Sequence, residues 1–326
     1  MNATLAVELH QVTKTYPGGI KAVDHVSLDI PRGRIVALLG TSGCGKTTTL
    51  RLINRLEEAT SGQILVRGED ICRQRPERLR RSIGYVIQEG GLFPHFTVSR
   101  NVAVVPRLLG WPAQRIGQRV AQVLDLVGLP ESKFGGRMPA ELSGGQRQRV
   151  GVARALAADP DILLMDEPFG ALDPGTREAI QDEFLRLHAQ LRKAVILVTH
   201  DMAEAGKLAE HIVLMDHGQI IQQGMLGDLL LRPANDRVRA FLGRQAQSLA
   251  LELLRLVHVL PDLPHASAGT IPIRLTGDMR LSQALAALVD AGDGATVVLE
   301  GEEDRAFSAL QLRQRILAAV HSATNT

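Results

Sequence analysis

The sequence predicts an α/β fold with strands of the parallel-sheet type at its centre. Residues 34–39, 162–165 and 194–199 are short apolar runs rich in Val, Ile and Leu, which suit strands buried on both faces. Each run ends at glycine or polar residues, and helix-forming stretches begin near Lys46 and Arg147. The chain of 326 residues exceeds what one such domain needs, so we expect a second, smaller unit.

Antiparallel-type strands precede this core. Residues 7–13 and 21–30 alternate apolar and polar side chains, which is typical of strands with one buried face. A turn at Thr60-Ser61-Gly62 leads into a further strand over 63–67.

A glycine-rich loop follows the run at 34–39. It consists of Gly40, Thr41, Ser42, Gly43, Cys44, Gly45, Lys46 and Thr47. The loop joins a strand to a helix, which is the context required by the phosphate-binding pattern G-x-x-x-x-G-K-[ST]. Glycines let backbone N–H groups approach phosphate oxygens, and the helix N-terminus adds partial positive charge. We expect Lys46 to reach the β- and γ-phosphates of a nucleotide and the Thr47 hydroxyl to bind Mg²⁺.

A second glycine-rich segment lies far along the chain and reads Leu142-Ser143-Gly144-Gly145-Gln146. Ser143 suits the N-cap of a helix predicted over 147–158. Taken alone, the segment would be interpreted as a capped start of a helix that binds no ligand. Its glycines and free N–H groups also suit an anion. Two phosphate-binding segments in one chain indicate an ATPase whose site is completed by a second copy of the chain.

Two carboxylates and a histidine end the other apolar runs. Asp166 can hold Mg²⁺ through a water, and Glu167 can polarise the attacking water. A lone histidine after a strand is usually structural. His200, however, ends a strand of the same kind, and ligand sites in such sheets lie beyond the carboxyl ends of strands. We therefore expect His200 to orient the γ-phosphate and the water.

The chain has two cysteines, Cys44 and Cys72, without a spacing pattern. This usage fits a reducing compartment and no disulfide framework. Cys44 lies in the phosphate loop, where it is interpreted as a small side chain in a crowded turn; a redox switch is the alternative.

Together these segments resemble the nucleotide-binding subunit of ABC transporters over about residues 5–240. The resemblance identifies Gly40–Thr47 as the Walker A motif, Leu142–Gln146 as the signature, and Asp166 with Glu167 as part of Walker B. It implies an α/β P-loop ATPase domain over residues 1–242, with a mixed-sheet core, an antiparallel β subdomain and a helical lobe inserted at about 90–160.

The resemblance also assigns roles to single residues. Tyr16 falls where the family stacks an aromatic ring on adenine, Gln88 is the Q-loop glutamine, and Asp173 belongs to the D-loop. The predicted catalytic residues are Glu167, His200 and Gln88, and the predicted Mg²⁺ ligands are Thr47, Gln88 and Asp166. The predicted ATP contacts are Tyr16, Gly40, Thr41, Ser42, Gly43, Cys44, Gly45, Lys46, Thr47, Thr48, Ser143, Gly144, Gly145, Gln146 and Asp173.

Partners follow from the same resemblance. In this family two subunits face each other head to tail, and each ATP lies between Walker A of one and the signature of the other. The chain is therefore expected to form a homodimer and to work with integral-membrane permease subunits and a substrate-binding protein. Residues 88–106 are the predicted docking surface; alternatively, Phe93 and Phe96 fill the core of the helical lobe.

Composition narrows the function further. Lys and Arg number 37 and Asp and Glu 35, for a net charge of +2, and aromatic residues make up 3%. These values argue against nucleic acid as a partner. We expect no signal peptide, since the N-terminus lacks a basic region followed by an apolar core, and no apolar stretch reaches the length needed to cross a bilayer. We expect a peripheral protein on the cytoplasmic face of the cell membrane, held there by the permease.

A finer resemblance is to ATP-binding subunits of importers for osmoprotectants such as glycine betaine, carnitine and choline. It depends on Ile83–Gln88, Ile53–Leu56, Val105–Pro112 and Asp166–Pro174. Importers of amino acids and other solutes share several of these segments. A soluble ABC-type protein acting on DNA or ribosomes is a further alternative. It is disfavoured because each motif occurs once and no long coiled-coil insertion is present.

Residues 243–326 are predicted to form a small α/β appendage. The sequence indicates a helix within 243–260, a flexible break at 265–269, strands at 271–274 and 295–299, and helices at 281–291 and 310–321. This order resembles a single degenerate CBS-type module. Regulation and plain dimerisation or docking both remain open as its role.

Overall fold

A computed structural model describes residues 5–87, 91–170, 172–243, 246–259, 272–292, 295–300 and 306–322 of the chain. The chain divides into two compact units, Met1–Ile220 and Ile221–Thr326. The end of the ATPase domain at residue 242 stays a prediction. Among the described residues, no helix combines the length and the apolar character that crossing a membrane requires.

The first unit alternates strands and helices along the chain. Its strands are β1 (Leu5–Thr15), β2 (Lys21–Pro31), β3 (Ile35–Gly40), β4 (Ser61–Val66), β5 (Glu69–Asp70), β6 (Ile83–Val86), β7 (Ile162–Asp166), β8 (Ala194–Thr199) and β9 (His211–Asp216), and strand β10 (Gln219–Gly224) begins in this unit and crosses its boundary. Its helices are α1 (Lys46–Ile53), α2 (Pro76–Arg81), α3 (Val98–Val102), α4 (Val104–Leu108), α5 (Ala113–Leu126), α6 (Glu131–Phe134), α7 (Gly144–Leu156), α8 (Pro174–Leu191) and α9 (Met202–Leu208).

An antiparallel sheet opens the unit, with strand order β2-β1-β4-β5. Val26, Leu28 and Ile30 of β2 are buried while Ser27 and Asp29 between them are exposed. This alternation leaves one face of the strand in the core and the other in water. The predicted strands over 7–13, 21–30 and 63–67 are confirmed.

A six-stranded sheet forms the centre of the unit, in the order β10-β9-β3-β8-β7-β6. The pairs β3–β8, β3–β9, β7–β8 and β6–β7 are parallel. Every residue of β3, β7 and β8 is buried, as the continuous apolar runs predicted. Because these strands are parallel, their carboxyl ends meet at one edge, and this edge carries the predicted site.

Helices α3 to α7 form the predicted helical lobe. Leu124 of α5 and Val150 of α7 are fully buried in its core. Helix α7 begins at Gly144, three positions earlier than the predicted start, because Ser143 caps it.

In its described residues, the second unit contains a three-stranded sheet and five α-helices. Its strands are β11 (Pro272–Thr276), β12 (Thr296–Glu300) and β13 (Ala306–Ser308); its helices are α10 (Leu226–Leu231), α11 (Asp236–Leu242), α12 (Ala246–Leu253), α13 (Leu281–Ala291) and α14 (Ala309–Ser322). Strand β12 lies between the other two, parallel to β11 and antiparallel to β13. Leu275, Val297, Leu299 and Phe307 are buried.

Two elements differ from the predicted appendage. Helix α12 is shorter than the predicted 243–260, because the backbone at Arg255 leaves the helix and forms an isolated bridge to Arg280. Strand β13 was missed, since three residues carry too little pattern to be recognised. The expected break at 265–269 lies outside the described residues. The resemblance to a CBS-type module stays a prediction.

Candidate functional site

The phosphate loop connects β3 to α1 through two glycines that no other residue can replace. Gly40 has φ +153°, and a Cβ there would lie 2.2 Å from the Met215 carbonyl oxygen. Gly45 has φ +108°, and a Cβ there would lie 2.2 Å from the Ala22 carbonyl oxygen. Both positions need positive φ and a bare backbone, which lets the loop pass close to the neighbouring carbonyl groups.

Lys46 lies inside this loop and is only 5% exposed. Its Nζ donates to the carbonyl oxygens of Gly40 at 2.7 Å and Thr41 at 2.8 Å. The ammonium group is therefore held within the ring of backbone that the sequence assigns to phosphate binding.

Thr47 and Asp166 meet at the carboxyl edge of the central sheet. The Thr47 hydroxyl donates to Asp166 Oδ1 at 2.9 Å. Burial raises the pKa of the Asp166 carboxyl and the charge of neighbouring Glu167 adds to this rise, whereas the hydrogen bond from Thr47 opposes it. A cation would relieve the cost of burying this carboxylate, and hydroxyl and carboxylate oxygens are the ligands that Mg²⁺ prefers.

Glu167 and His200 form the second pair of the site. Nδ1 of His200 lies 3.4 Å from Oε1 of Glu167, and the side chains are 63% and 24% exposed, respectively. Glu167 has φ +45°, in the left-handed region, and its N–H donates to the Val198 carbonyl oxygen at 3.0 Å. This bond to β8 holds a conformation that a non-glycine residue seldom adopts, and it keeps the Glu167 carboxylate beside the imidazole.

Except for Asp166, these side chains line one cavity of about 530 Å³. It is lined by Ser42, Gly43, Gly45, Lys46, Thr47, Thr48, Glu167 and His200. The structure thus brings most of the predicted phosphate-loop residues together with the predicted hydrolytic residues, although they come from distant parts of the sequence.

The remaining predicted residues do not line this cavity in the described part of the chain. Ser143 and Gln146 instead form a reciprocal cap on α7: Ser143 Oγ accepts from Gln146 N at 3.2 Å, and Gln146 Oε1 accepts from Ser143 N at 3.0 Å. Asp173 caps α8 by accepting from Thr176 N at 3.0 Å, a bond that lowers the pKa of its carboxyl.

Tyr16 also lies apart from the residues that line the cavity. The ammonium group of Lys14 lies over the Tyr16 ring, 5.0 Å from the ring centroid. Gln88 lies outside the described residues, as does Ala171 of the predicted D-loop.

Cys44 is 3% exposed, and burial raises the pKa of its thiol above the usual value although the Lys46 ammonium opposes this. A neutral, buried thiol is a poor nucleophile. The environment therefore favours the interpretation of Cys44 as a small packing residue over that of a redox switch.

The sequence interpretation missed Arg177, which contacts the segment that follows Glu167. Its Nε donates to the Phe169 carbonyl oxygen at 3.2 Å and its Nη2 to the Leu172 carbonyl oxygen at 2.9 Å. It thereby fastens the segment between Glu167 and Asp173 to α8. The sequence did hold one indication of this role. A positive charge near a helix N-terminus is unfavourable for the helix, so an arginine at that position is expected to make a contact elsewhere.

The fold and the site define an ATP-binding cassette ATPase. Residues 23–170 match the family model described as "ABC transporter". The chain is 48% identical, over 86% of its length and 71% of the relative's, to the glycine betaine/carnitine/choline transport ATP-binding protein OpuCA of Bacillus subtilis. It is 53% identical to the glycine betaine uptake system ATP-binding protein YehX of Escherichia coli, over 77% of this chain and 81% of that protein. The chain belongs to the family of ABC transporter ATP-binding proteins that includes these relatives.

Solved structures agree with this assignment. The dimeric ATP-binding cassette MJ0796, in a post-hydrolysis state bound to ADP and Pi, superposes with a TM-score of 0.61 at 35% identity, over 68% of this chain and 98% of that one. CbiO1 from Clostridium perfringens, part of an ABC transporter complex, gives a TM-score of 0.65 at 27% identity, over 73% of this chain and 94% of that one.

Proposed function

We propose that this chain is the ATP-hydrolysing subunit of an importer for quaternary-amine osmoprotectants of the glycine betaine, carnitine and choline type. The solute class is supported by the names of the relatives at 48% and 53% identity. The observation that supports hydrolysis most directly is the single cavity in which Lys46, Thr47, Glu167 and His200 converge.

ATP is proposed to bind with its phosphates on the loop between Gly40 and Thr47. The backbone N–H groups of the loop and the start of α1 attract the phosphate oxygens, and the Lys46 ammonium neutralises part of their charge. Thr47 and Asp166 are the proposed Mg²⁺ ligands. Gln88, the third predicted ligand, remains a proposal because it lies outside the described residues. Bound Mg²⁺ neutralises charge on the phosphates.

Glu167 is the proposed group that polarises the attacking water. Its carboxylate faces the cavity and lies 3.4 Å from the imidazole of His200. His200 donates from its ring to the γ-phosphate or the water and thereby fixes the direction of attack.

The other half of the site comes from a second copy. Ser143, Gly144, Gly145 and Gln146 occupy the start of α7, whose N–H groups and dipole suit the γ-phosphate of an ATP held by the partner. Asp173 is proposed to approach the nucleotide across the same interface. A two-fold pair then contains two equivalent ATP sites.

The permease is proposed to bind at a groove of about 300 Å³ between β6 and the helical lobe. Ile87 and Phe93 line the groove and are 36% and 42% exposed, respectively. Buried Asn101 holds the adjacent loop by accepting from Phe93 N at 2.8 Å and donating to Phe96 O at 3.0 Å. A largely apolar groove of this kind suits a short helix from the permease, which would also hold the chain at the cytoplasmic face of the membrane.

The docking surface has its own test. Phe93→Asp should abolish co-purification with the permease while ATP binding persists, and Met225→Asp, a matched change at a side chain that is 61% exposed, should not. Equal co-purification of the two variants would contradict this surface.

Transport tests the function as a whole. The chain, its cognate permease and its binding protein, reconstituted in vesicles with internal ATP, should take up radiolabelled glycine betaine, carnitine or choline. The relatives include a sulfate/thiosulfate import protein at 44% identity, so sulfate is the matched alternative solute. ATP-driven uptake of sulfate and of none of the quaternary amines would contradict the proposed solute class.

A further inference from the structure

The turn between β9 and β10 packs against the phosphate loop. Gly218, in this turn, donates its N–H to the carbonyl oxygen of Cys44 at 3.0 Å. Its Cα also lies near Gly45, since a Cβ added to Gly45 would lie 3.6 Å from it. The turn therefore contacts both of the loop residues that immediately precede Lys46.

Asp24, on β2, holds this turn at two successive residues. Its N–H donates to the carbonyl oxygen of Gly218 at 2.8 Å. Its Oδ2 accepts from Nε2 of Gln219 at 2.9 Å. The first bond can form with any residue except proline at position 24, whereas the second requires an acceptor in the side chain. The identity of residue 24 thus decides how firmly the turn is held.

The carboxylate of Asp24 is itself held by two neighbours on its own strand. Lys21 Nζ donates to Oδ1 of Asp24 at 3.1 Å, and Nδ1 of His25 lies 2.8 Å from the same oxygen. Hydrogen bonds from Gln219, Lys21 and His25 lower the pKa of the Asp24 carboxyl to about 2, so the group is charged at neutral pH. A charged acceptor forms stronger hydrogen bonds than a neutral one, and the bond to Gln219 benefits from this.

The contact matters because the phosphate loop is rich in glycine. Gly43 and Gly45 have φ +80° and +108°, and a glycine backbone has many other conformations available to it. A ligand that needs one of these conformations binds more weakly in proportion to the fraction of the empty chain that adopts another. Neighbours that favour the binding conformation therefore raise the affinity for the ligand without touching it.

We propose that Asp24 is a positioning residue of the nucleotide site, whose side chain fastens the β9–β10 turn through Gln219 so that Gly218 holds the phosphate loop ready for ATP. This role rests on the function proposed above for the loop between Gly40 and Thr47.

Asp24→Ala tests the proposal, because it removes the side-chain acceptor and leaves the main-chain bond to Gly218 in place. In the purified full-length chain, the Kd for ATP should rise about fivefold, the effect of one hydrogen bond. At saturating ATP, kcat should stay within about twofold of wild type, since bound nucleotide itself selects the binding conformation of the loop. Asp29→Ala removes an exposed carboxylate from the same strand and should match wild type in both measurements.

A double-mutant cycle isolates the bond between Asp24 and Gln219. Gln219→Leu alone should also raise the Kd for ATP. The double variant should show the Kd of Asp24→Ala, because both changes remove the same bond. A Kd in the double variant that equals the product of the two separate effects would overturn the proposal. If Asp24→Ala does not fold, Gln219→Leu decides alone, and a wild-type Kd for that variant overturns the proposal.

A merely structural role predicts a lower melting temperature together with an unchanged Kd for ATP. That result, or a lower kcat with a wild-type Kd, would also count against a positioning role. Failure of the proposed function is seen separately, because Lys46→Ala would then bind ATP as tightly as wild type.

Discussion

The Thr47 hydroxyl donates a hydrogen bond to Asp166 over 2.9 Å, although 119 positions separate the two residues in the chain. Thr47 belongs to the first turn of α1 and Asp166 to the carboxyl end of β7. The central sheet brings them together because β3 and β7 both run parallel to β8, which lies between them. The contact joins the phosphate loop to the proposed hydrolytic residues.

Replacing Thr47 by Val should remove this hydroxyl while nearly preserving the volume of the side chain. We expect the Mg²⁺ concentration for half-maximal ATPase activity to rise at least about tenfold, since one hard oxygen ligand is lost and Asp166 keeps its burial without a donor. Thr47→Ser retains the hydroxyl and serves as the control. The measurement is phosphate release during Mg²⁺ titration; identical titrations for the two variants would show that Thr47 does not bind the metal.

Glu167→Gln should separate ATP binding from hydrolysis. The amide cannot polarise water as a carboxylate does, so kcat should fall about 10²-fold or more while ATP binding remains. Because the γ-phosphate is not cleaved, the two copies should stay associated, which gel filtration with Mg²⁺ and ATP detects. Lys46→Ala should instead weaken nucleotide binding itself. Phosphate release by Glu167→Gln at the wild-type rate would contradict the role proposed for Glu167.

Much of this molecule was predictable from local sequence pattern. The continuous apolar runs marked β3, β7 and β8, and the apolar periodicity marked α13 with the bounds the structure has. The phosphate loop was predictable from its glycines, because Gly40 and Gly45 adopt backbone conformations that other residues cannot adopt there.

The remainder depended on contacts between distant segments. The burial of Glu204 could not be predicted, because α9 has seven residues, too few for a reliable apolar period. The two hydrogen bonds of Arg177 could not be predicted either, because their acceptors are main-chain carbonyl oxygens, which every residue type carries. The short distance between Glu167 and His200 could be predicted only from the order of the strands in the sheet, and local sequence pattern does not give that order.

The proposed composite site can be tested by mixing two inactive variants. Lys46→Ala impairs the phosphate loop, and Ser143→Arg blocks the start of α7 with a bulky cation. In a mixed head-to-tail dimer, one site carries both defects and the other carries neither. We expect each variant alone to occlude no ATP, and the mixture to occlude about one ATP per mixed dimer. The readout is retained labelled ATP when each chain also carries Glu167→Gln. A mixture that retains no more ATP than the separate variants would contradict the head-to-tail arrangement.

The two cysteines should differ sharply in reactivity. Cys72 is exposed, whereas Cys44 is 3% exposed and burial raises the pKa of its thiol. An acid with a raised pKa stays protonated to higher pH, so at about pH 8 Cys44 should hold less thiolate than an ordinary cysteine, and thiolate is the reactive form. Iodoacetamide should therefore label Cys72 at least about tenfold faster than Cys44 in the native chain, as measured by peptide mass spectrometry. Unfolding in urea should remove the difference, which controls for local sequence effects. Cys44 labelling in the native chain as fast as Cys72 would show that the phosphate loop opens readily, and would favour the redox-switch interpretation instead.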